Sequence, residues 1–239
     1  MGGAFDDRHV WVGAAAALAP DLTAATPGAG TGTAAPPPYR IEREVEDLDA
    51  IVRSVGGGAY VHGSSSGATL ALLGASIGVA VRGLSVFEPP FRVPGARPVP
   101  DGYVDRLVEM TGRGRRGEAV SYFMTEVVGL SQETVEDVRR SSEWPDLEAM
   151  AHTLVHDATI MGDGAVPVEL LSSLPLPVLV LDSSASPAWL RDAAAATAQA
   201  LPDAWHRSLP GTFHNVAPQT LAAALVDFFL QPRAGTAEA

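Results

Sequence analysis

The residues best suited to chemistry lie in a Gly-x-Ser-x-Gly turn centred on Ser65. A short apolar segment precedes the turn and a run of small residues follows it, so the turn is predicted to join a strand to a helix. Gly63 and Gly67 would let neighbouring backbone approach a serine held in a strained conformation. The hydroxyl would then stand at a helix N-terminus, where free N–H groups favour a developing negative charge. The pattern indicates a nucleophilic serine, and the alternative is an ordinary loop rich in glycine and serine.

An acid and a histidine follow Ser65 along the chain. Glu88 ends the next predicted strand, Asp182 lies at the tip of a later strand, and His214 is on a loop before the last predicted helix. A serine hydroxyl is a poor nucleophile at neutral pH and needs an adjacent base, which His214 could provide. His214 as an ordinary loop histidine is the alternative.

The other histidines are expected to have lesser roles. His62 adjoins the turn and is expected to be structural, whereas His9 could line a pocket. His152, His156 and His206 are expected on the surface or among helices. His152 and His156 are four residues apart on a predicted helix, but no carboxylate motif such as His-Glu-x-x-His accompanies them, so we predict no metal site.

The composition excludes several classes of partner. The chain has 239 residues, of which 46% are hydrophobic, and this predicts a substantial core. Its net charge of −12 argues against nucleic acid and anionic membranes as main partners. It contains no cysteine, which fits a reducing cytoplasm. No apolar run reaches the ~20 residues of a membrane span, and the first residues lack the order of a signal peptide. We therefore expect a cytoplasmic protein, and no cofactor is predicted.

The elements that would position these residues alternate between strand and helix. Apolar strands separated by helices predict an α/β fold with a mostly parallel sheet flanked by helices. From Arg92 to Leu174 four helices and no strand are predicted, which indicates a helical cap inserted between two strands. The predicted domains are a core of residues 1–91 and 175–239 and a cap of residues 92–174. Besides the segments around Ser65, the predicted strands are 22–26, 84–87, 176–181 and 205–209, and the predicted helices are 11–18, 39–55, 101–110, 117–128, 132–141, 144–156, 187–201 and 218–230.

The order of serine, acid and histidine resembles that of the α/β-hydrolase fold. Met1-Gly2-Gly3-Ala4-Phe5 resembles the oxyanion loop of that family, residues 211–218 (GTFHNVAP) resemble its histidine loop, and Glu88-Pro89-Pro90-Phe91 resembles the start of its cap. The resemblance extends over nearly the whole chain. It implies that Ser65 is the nucleophile and His214 the general base, and that the backbone N–H groups of Ser66 and Ala4 bind the oxyanion.

The sequence departs from the family pattern at the acid. Ser186 stands where the family usually has its aspartate, and a serine cannot stabilise an imidazolium by charge. Glu88 is the favoured substitute because some members supply the acid from the end of this strand. Asp182 is the alternative acid, although it comes early, and a site without any acid is the third possibility.

The beginning of the chain is a second departure. The family has strands before the oxyanion loop, one of them beside the strand that leads to the serine, and here the sequence starts at that loop. This arrangement predicts unpaired backbone N–H and C=O groups along the strand that leads to Ser65. Either the sequence is short, or a partner chain or a rearranged strand fills the gap. A homodimer is left open.

The leading hypothesis is a serine hydrolase that cleaves an ester, thioester or similar acyl bond of a small apolar substrate beneath the cap. The alternatives are a degenerate, non-catalytic binding protein and a lyase or cyclase on the same scaffold. The candidate pocket residues, each of which could equally be cap core, are Phe91, Tyr103, Tyr122, Phe123, Met124, Trp144 and Met161.

Overall fold

A computed structural model describes residues 1–2, 4, 11–24 and 39–231. Its centre is a parallel sheet of four strands, β1 (Ala59–Ser64), β2 (Val81–Phe87), β3 (Val178–Ser183) and β4 (Ala204–Leu209), in the order β1-β2-β3-β4. Every residue of β3 is buried, as expected for a strand with both sheet faces covered. The predicted α/β fold with a mostly parallel sheet is confirmed.

Helices cover both faces of the sheet. On one face, α2 (Ile41–Ser54), α3 (Ser66–Ser76) and α10 (Ala188–Ala200) bury apolar side chains against the strands. On the other, α1 (Val12–Leu18) and α11 (Pro218–Phe229) do the same. The small residues of α3 suit this position because they let the helix lie close to the sheet. None of the described helices combines the length and apolarity that a bilayer crossing requires.

A group of helices lies between β2 and β3 in the chain. Its α-helices, called here the inserted helices, are α4 (Tyr103–Gly112), α5 (Arg116–Tyr122), α6 (Gln132–Arg139), α7 (Trp144–Met150), α8 (Leu154–Met161) and α9 (Val168–Ser172). Several of them share a separate apolar cluster that includes Leu107, Val120 and Leu154. The division into core and cap domains at the stated boundaries stays a prediction.

Several elements differ from the sequence-based expectation. Residues 22–24 of the predicted strand 22–26 are irregular, and the other two lie outside the described residues. The predicted helix 117–128 ends as a π-helix (Phe123–Val128), and helix 144–156 is interrupted by a 3₁₀ turn (Ala151–Thr153). Helix α9 was not predicted, since five residues are too few to show a helical period. Residues 211–216 form a small hairpin of β5 (Gly211–Thr212) and β6 (Asn215–Val216) where a loop was predicted.

The first residue pairs with the edge of β1. The amino group of Met1 donates to the His62 carbonyl (2.6 Å), and the Met1 carbonyl accepts from the Ser64 N–H (2.9 Å). These two bonds place Met1 opposite Gly63 in the pattern of a parallel ladder. Beside this edge is a cavity of about 640 Å³, lined largely by apolar side chains of α1, α2, β1 and α11. No other described residue hydrogen-bonds to this edge of β1 through its backbone.

The glycines of the Ser65 turn have a steric role that predicts a stability effect. A Cβ on Gly67 would collide with the Gly2 carbonyl oxygen, because the first residues cross directly over the start of α3. We expect Gly67→Ala to lower the free energy of unfolding by about 1–3 kcal/mol, as overpacking typically does. Urea denaturation measures the difference.

The matched control is Gly112→Ala at the end of α4, where an added Cβ meets nothing within 4 Å. This variant should be neutral or slightly more stable, because alanine has the higher helix propensity. Equal stabilities of the two variants would contradict the close approach at Gly67.

Candidate active site

Ser65 occupies a strained turn between β1 and α3. Its backbone has φ 54° and ψ −129°, a combination that non-glycine residues rarely adopt. The Ser65 N–H donates to the Phe87 carbonyl at the end of β2 (2.9 Å), and the Ser65 carbonyl accepts from the Ala68 N–H (3.0 Å). A Cβ on Gly63 would collide with the Gly67 carbonyl oxygen, so Gly63 is needed where the strand passes the start of the helix, whereas Gly67 leaves room for Met1 and Gly2. Strain of this kind persists where the surroundings fix the backbone, and it concentrates at functional sites.

His214 lies in the turn of the β5–β6 hairpin. The strands are joined by two residues, Phe213 (φ 42°) and His214 (φ 62°), both in the left-handed region. Two-residue hairpin turns favour this region, but asparagine and glycine usually occupy it. Side chains from elsewhere hold the turn. The Phe213 N–H donates to the Ser186 hydroxyl (2.6 Å), and the His214 N–H donates to Oε2 of Glu88 (2.7 Å).

Glu88 is fully buried and holds the ends of two strands and the hairpin together. It follows β2, with φ 47°, and its N–H donates to the Leu181 carbonyl on β3 (2.8 Å). Oε1 accepts from the Ser183 N–H (2.8 Å), while Oε2 lies 2.8 Å from Nδ1 of His214. The carboxylate therefore has a partner on each oxygen, which is the condition for a buried charge.

The pKa of Glu88 reflects these partners. Burial alone would raise it, because a carboxylate loses solvation inside the protein. The polar side chains of His214 and Ser186 beside the carboxylate oppose this, assisted by the charge of His214 and the Ser183 N–H, and together they lower the pKa from 4.5 to about 2. Glu88 is thus an anion at neutral pH.

The contact between the Glu88 carboxylate and the His214 ring is close, but it is not an aligned hydrogen bond. The 2.8 Å separation is short, yet Nδ1 has no acceptor with suitable hydrogen-bond geometry. The backbone N–H of His214 already points at the same oxygen.

Asp182 faces a different histidine. One of its oxygens lies 2.6 Å from Nε2 of His206, and the other accepts from the Ser208 hydroxyl (2.7 Å). Both partners are on β4, and Asp182 itself is buried. The structure therefore brings Glu88, and not Asp182, to His214. Ser186, at the position of the family's usual acid, supports the His214 turn and the Glu88 charge instead.

Ser65 and His214 line one cavity of about 180 Å³. No hydrogen bond joins their side chains, which is common before substrate binds. Of the candidate pocket residues, Tyr103, Phe123, Met124 and Met161 line the cavity, whereas Phe91, Tyr122 and Trp144 do not. Phe91 belongs to the sheet core and Trp144 to the core of the inserted helices, while Tyr122 packs against the latter core.

The predicted oxyanion donors also lie at this cavity. Ala4 and Ser66 are in its wall, and Ser66 is the first residue of α3, whose N–H precedes the helical bonding pattern. The Ser66 side chain is engaged elsewhere, because its hydroxyl donates to Asp157 of α8. Gly3 and His9, which the sequence also placed near this loop, lie outside the described residues.

The other histidines that the structure describes are not part of the cavity wall. His62 is half-buried, with Nδ1 3.1 Å from the Ser85 hydroxyl, and loss of solvation, aided by the charge of the terminal ammonium, lowers its pKa to about 3. The ring of His156 stacks on Tyr39 (4.1 Å between centroids), and His152 packs edge-on against it. Around this pair the described chain gathers no group of three or more potential metal ligands.

Among the cavity residues that had no sequence signal are two charged residues and a tryptophan. Arg92, Asp157 and Trp189 come from the segment after β2, from α8 and from the start of α10, and none lies in a motif. Arg92 directly follows the Pro-Pro-Phe run that resembles the start of a cap, which is the one clue that could have singled it out.

The lowered pKa of Glu88 predicts a pH-dependent stability. A carboxyl group whose pKa is depressed on folding stabilises the protein above its unfolded value, here 4.5, and this contribution disappears as the pH falls towards about 2. We expect Glu88→Gln to cost roughly 3 kcal/mol at most near neutral pH, and less as the medium is acidified. Urea denaturation at about pH 7 and about pH 3.5 measures both differences.

Glu133→Gln provides the comparison, since Glu133 is exposed on α6. Its effect should stay within about 0.5 kcal/mol at both pH values, as for most surface substitutions. A Glu88→Gln deficit that is unchanged or larger at low pH would show that the folded protein does not depress the pKa of Glu88.

Comparison with known proteins shows the family to which this fold belongs. Residues 3–224 match the model of the alpha/beta hydrolase family. An alpha/beta hydrolase from Sphaerobacter thermophilus DSM 20745 is 43% identical, with a TM-score of 0.83 over 95% of this chain and 90% of that one. Two structures share only the fold. The enol-lactonase from Burkholderia xenovorans LB400 is 19% identical, with a TM-score of 0.64 over 96% of this chain and 89% of that one. A thermophilic esterase from Thermogutta terrifontis is 19% identical, with a TM-score of 0.61 over 95% of this chain and 85% of that one. No curated protein matches the chain. The chain belongs to the alpha/beta hydrolase family.

Proposed function

We propose that the protein is a serine hydrolase that cleaves an ester, thioester or similar acyl bond of a small, largely apolar substrate. The observation that carries this proposal is the buried Glu88 carboxylate 2.8 Å from Nδ1 of His214, with His214 and Ser65 in the wall of one cavity. A carboxylate, an imidazole and a strained serine in that order are the components of acyl transfer through a covalent intermediate.

Each residue has a defined part in the proposed reaction. The Ser65 oxygen attacks the carbonyl carbon while His214 takes the hydroxyl proton, which it then gives to the leaving alcohol or thiol. A water molecule, deprotonated by His214, next attacks the acyl-enzyme, and the proton returns to Ser65 as the acid leaves. The Ser66 and Ala4 N–H groups would hold the oxyanion in both steps.

Glu88 would serve as the acid of the triad. It is buried and anionic at neutral pH, so its charge would stabilise the imidazolium that forms during each proton transfer. It also accepts the backbone N–H of His214, which fixes the turn that carries the imidazole. A glutamate at the end of β2 thereby replaces the acid that Ser186 does not supply.

The inserted helices would form the cap over this site. Residues of α4, α8 and the π-helix contribute mainly apolar side chains to the cavity, including Tyr103, Phe123 and Met161. Such a lining favours a substrate whose acyl or alcohol part is apolar and short, as the cavity measures about 180 Å³. Similarity in fold to an enol-lactonase and an esterase is compatible with ester or lactone substrates.

Covalent labelling tests the nucleophile. A fluorophosphonate probe should label the wild-type protein and fail to label Ser65→Ala, because only an activated serine reacts with it. Ser76→Ala, at the far end of α3, is the control and should be labelled like the wild type. Well-folded wild-type protein that is not labelled would favour a non-catalytic binding protein, whereas labelling without hydrolysis of short esters would favour a lyase or cyclase.

A pair of isosteric variants tests the acid. Glu88→Gln should lower kcat for a short 4-nitrophenyl ester by roughly 10³–10⁴-fold, as loss of the triad carboxylate does elsewhere. Asp182→Asn removes the other buried carboxylate and should lower kcat by less than about tenfold, because Asp182 contacts His206. The reverse order of the two effects would assign the acid to Asp182.

The base is tested in the same assay by His214→Ala, with His206→Ala as its control. His214→Ala should lose hydrolysis to about the same extent as Ser65→Ala, since triad members act as a unit. Full activity of His214→Ala would refute the mechanism.

A further inference from the structure

Arg92 places a guanidinium in the wall of the apolar cavity that holds Ser65. Its backbone is fixed, since the Arg92 N–H donates to the Gly164 carbonyl (2.7 Å) and Arg92 and Ala165 form an isolated parallel β-bridge. Its side chain lies over the ring of Trp189, with 4.7 Å from the guanidinium carbon to the ring centroid. One nitrogen, Nη2, donates to the Val127 carbonyl (2.5 Å).

The charge of Arg92 lacks a counter-charge in the described part of the chain. No carboxylate there lies within ion-pair distance of it, and its only hydrogen-bond acceptor is the neutral Val127 carbonyl. Two exposed arginines nearby in the chain differ in this respect, because Arg97 pairs with Glu126 and Arg113 with Glu109. Burial lowers the pKa of Arg92, which reflects the cost of holding a cation away from water.

The guanidinium also has unused donors. The group carries several N–H bonds in a planar fork, and only Nη2 is engaged. The unengaged nitrogens are not among the buried, unpartnered atoms of the described chain, so solvent reaches them, and Arg92 is one of the residues that line the cavity. The Trp189 ring supports one face of the fork and leaves its edge available, an arrangement suited to two parallel bonds to a carboxylate.

Asp157 is the other charged side chain in the cavity wall outside the proposed triad. It does not neutralise Arg92, because the two are beyond ion-pair distance and Asp157 accepts from the Ser66 hydroxyl. The Asp157 carboxylate therefore lies beside Ser66, whereas the Arg92 guanidinium lies beside Trp189 and Val127.

We propose that Arg92 binds a carboxylate carried by the substrate, so that the preferred substrates are short esters or related acyl compounds with an anionic end. This inference rests on the proposed function and narrows its substrate class. The apolar walls would cover the carbon chain, and the substrate carboxylate would supply the counter-charge that the described chain does not. A purely structural role, in which Arg92 only joins Val127 to Trp189, is the competing explanation.

Matched esters separate the two roles. The acyl-side pair is mono-4-nitrophenyl glutarate and its neutral methyl ester, and the alcohol-side pair is 4-acetoxybenzoate and its methyl ester. The wild type should prefer the anionic member of at least one pair by roughly tenfold or more in kcat/KM, as expected for a charged hydrogen-bonded contact. The pair that shows the preference identifies the side of the substrate that carries the carboxylate.

Substitutions assign the preference to Arg92. Arg92→Gln should reduce the ratio of anionic to neutral kcat/KM by roughly tenfold, and Arg92→Lys, which keeps the charge but not the fork, should reduce it less. Arg97→Gln, at an exposed arginine, is the control and should leave the ratio unchanged. Circular dichroism checks that each variant is folded.

Two results would overturn the proposal. One is a wild type with no preference for either anionic ester. The other is an Arg92→Gln variant that lowers kcat/KM equally for both esters of a pair, which is the effect expected if Arg92 only joins Val127 to Trp189.

Binding to the Ser65→Ala protein separates this inference from the proposed function, because it does not require turnover. Glutarate, but not glutaramide, should raise the melting temperature of Ser65→Ala, and the shift should vanish when Arg92→Gln is added. Glutarate binding without hydrolysis of any ester would refute the hydrolase and retain the carboxylate site. Hydrolysis of neutral esters by the wild type without glutarate binding to Ser65→Ala would refute the carboxylate site and retain the hydrolase.

Discussion

The buried carboxylate of Glu88 is the interaction on which the site depends. It accepts the Ser183 N–H at the end of β3 and the His214 N–H in the hairpin turn, and its own backbone bonds to Leu181. An unpaired charge in this position would be costly, so the strand ends and the hairpin must stay where they are for the fold to keep it. The contacts that make Glu88 tolerable in the interior are the same contacts that orient the imidazole.

Backbone strain is concentrated around this charge. The four non-glycine residues with positive φ among those described are Ser65, Glu88, Phe213 and His214, three of them the proposed triad. Each of the four donates its backbone N–H to a residue of another segment. Phe87 accepts from Ser65, Leu181 from Glu88, Ser186 from Phe213 and Glu88 from His214. The strained residues therefore form one connected unit at the ends of the parallel strands, which is the usual location of sites in α/β folds.

The sequence predicted the architecture and the Ser65 turn because both depend on local patterns. Apolar runs marked the strands β2 and β3, and Gly63 and Gly67 marked the close crossing at the elbow. It left the acid open, since Glu88 and His214 are 126 residues apart and only the folded chain shows their contact. The hairpin turn was not predicted because Phe213 and His214 are not the residues that such turns normally contain. The place of Arg92 in the cavity wall was not predicted because a single arginine outside any motif gives no pattern to recognise.

The positive φ of His214 is expected to lower the stability of the fold, while the proposed activity requires the histidine at this position. An asparagine or glycine would adopt this backbone at lower cost, so a variant chosen for resistance to heat would tend to lose the imidazole. Directed evolution for thermostability should therefore exempt the hairpin turn and draw its gains from surfaces remote from it. The same tension makes the turn a marker of selection, because a strained histidine is retained only while its chemistry is of use.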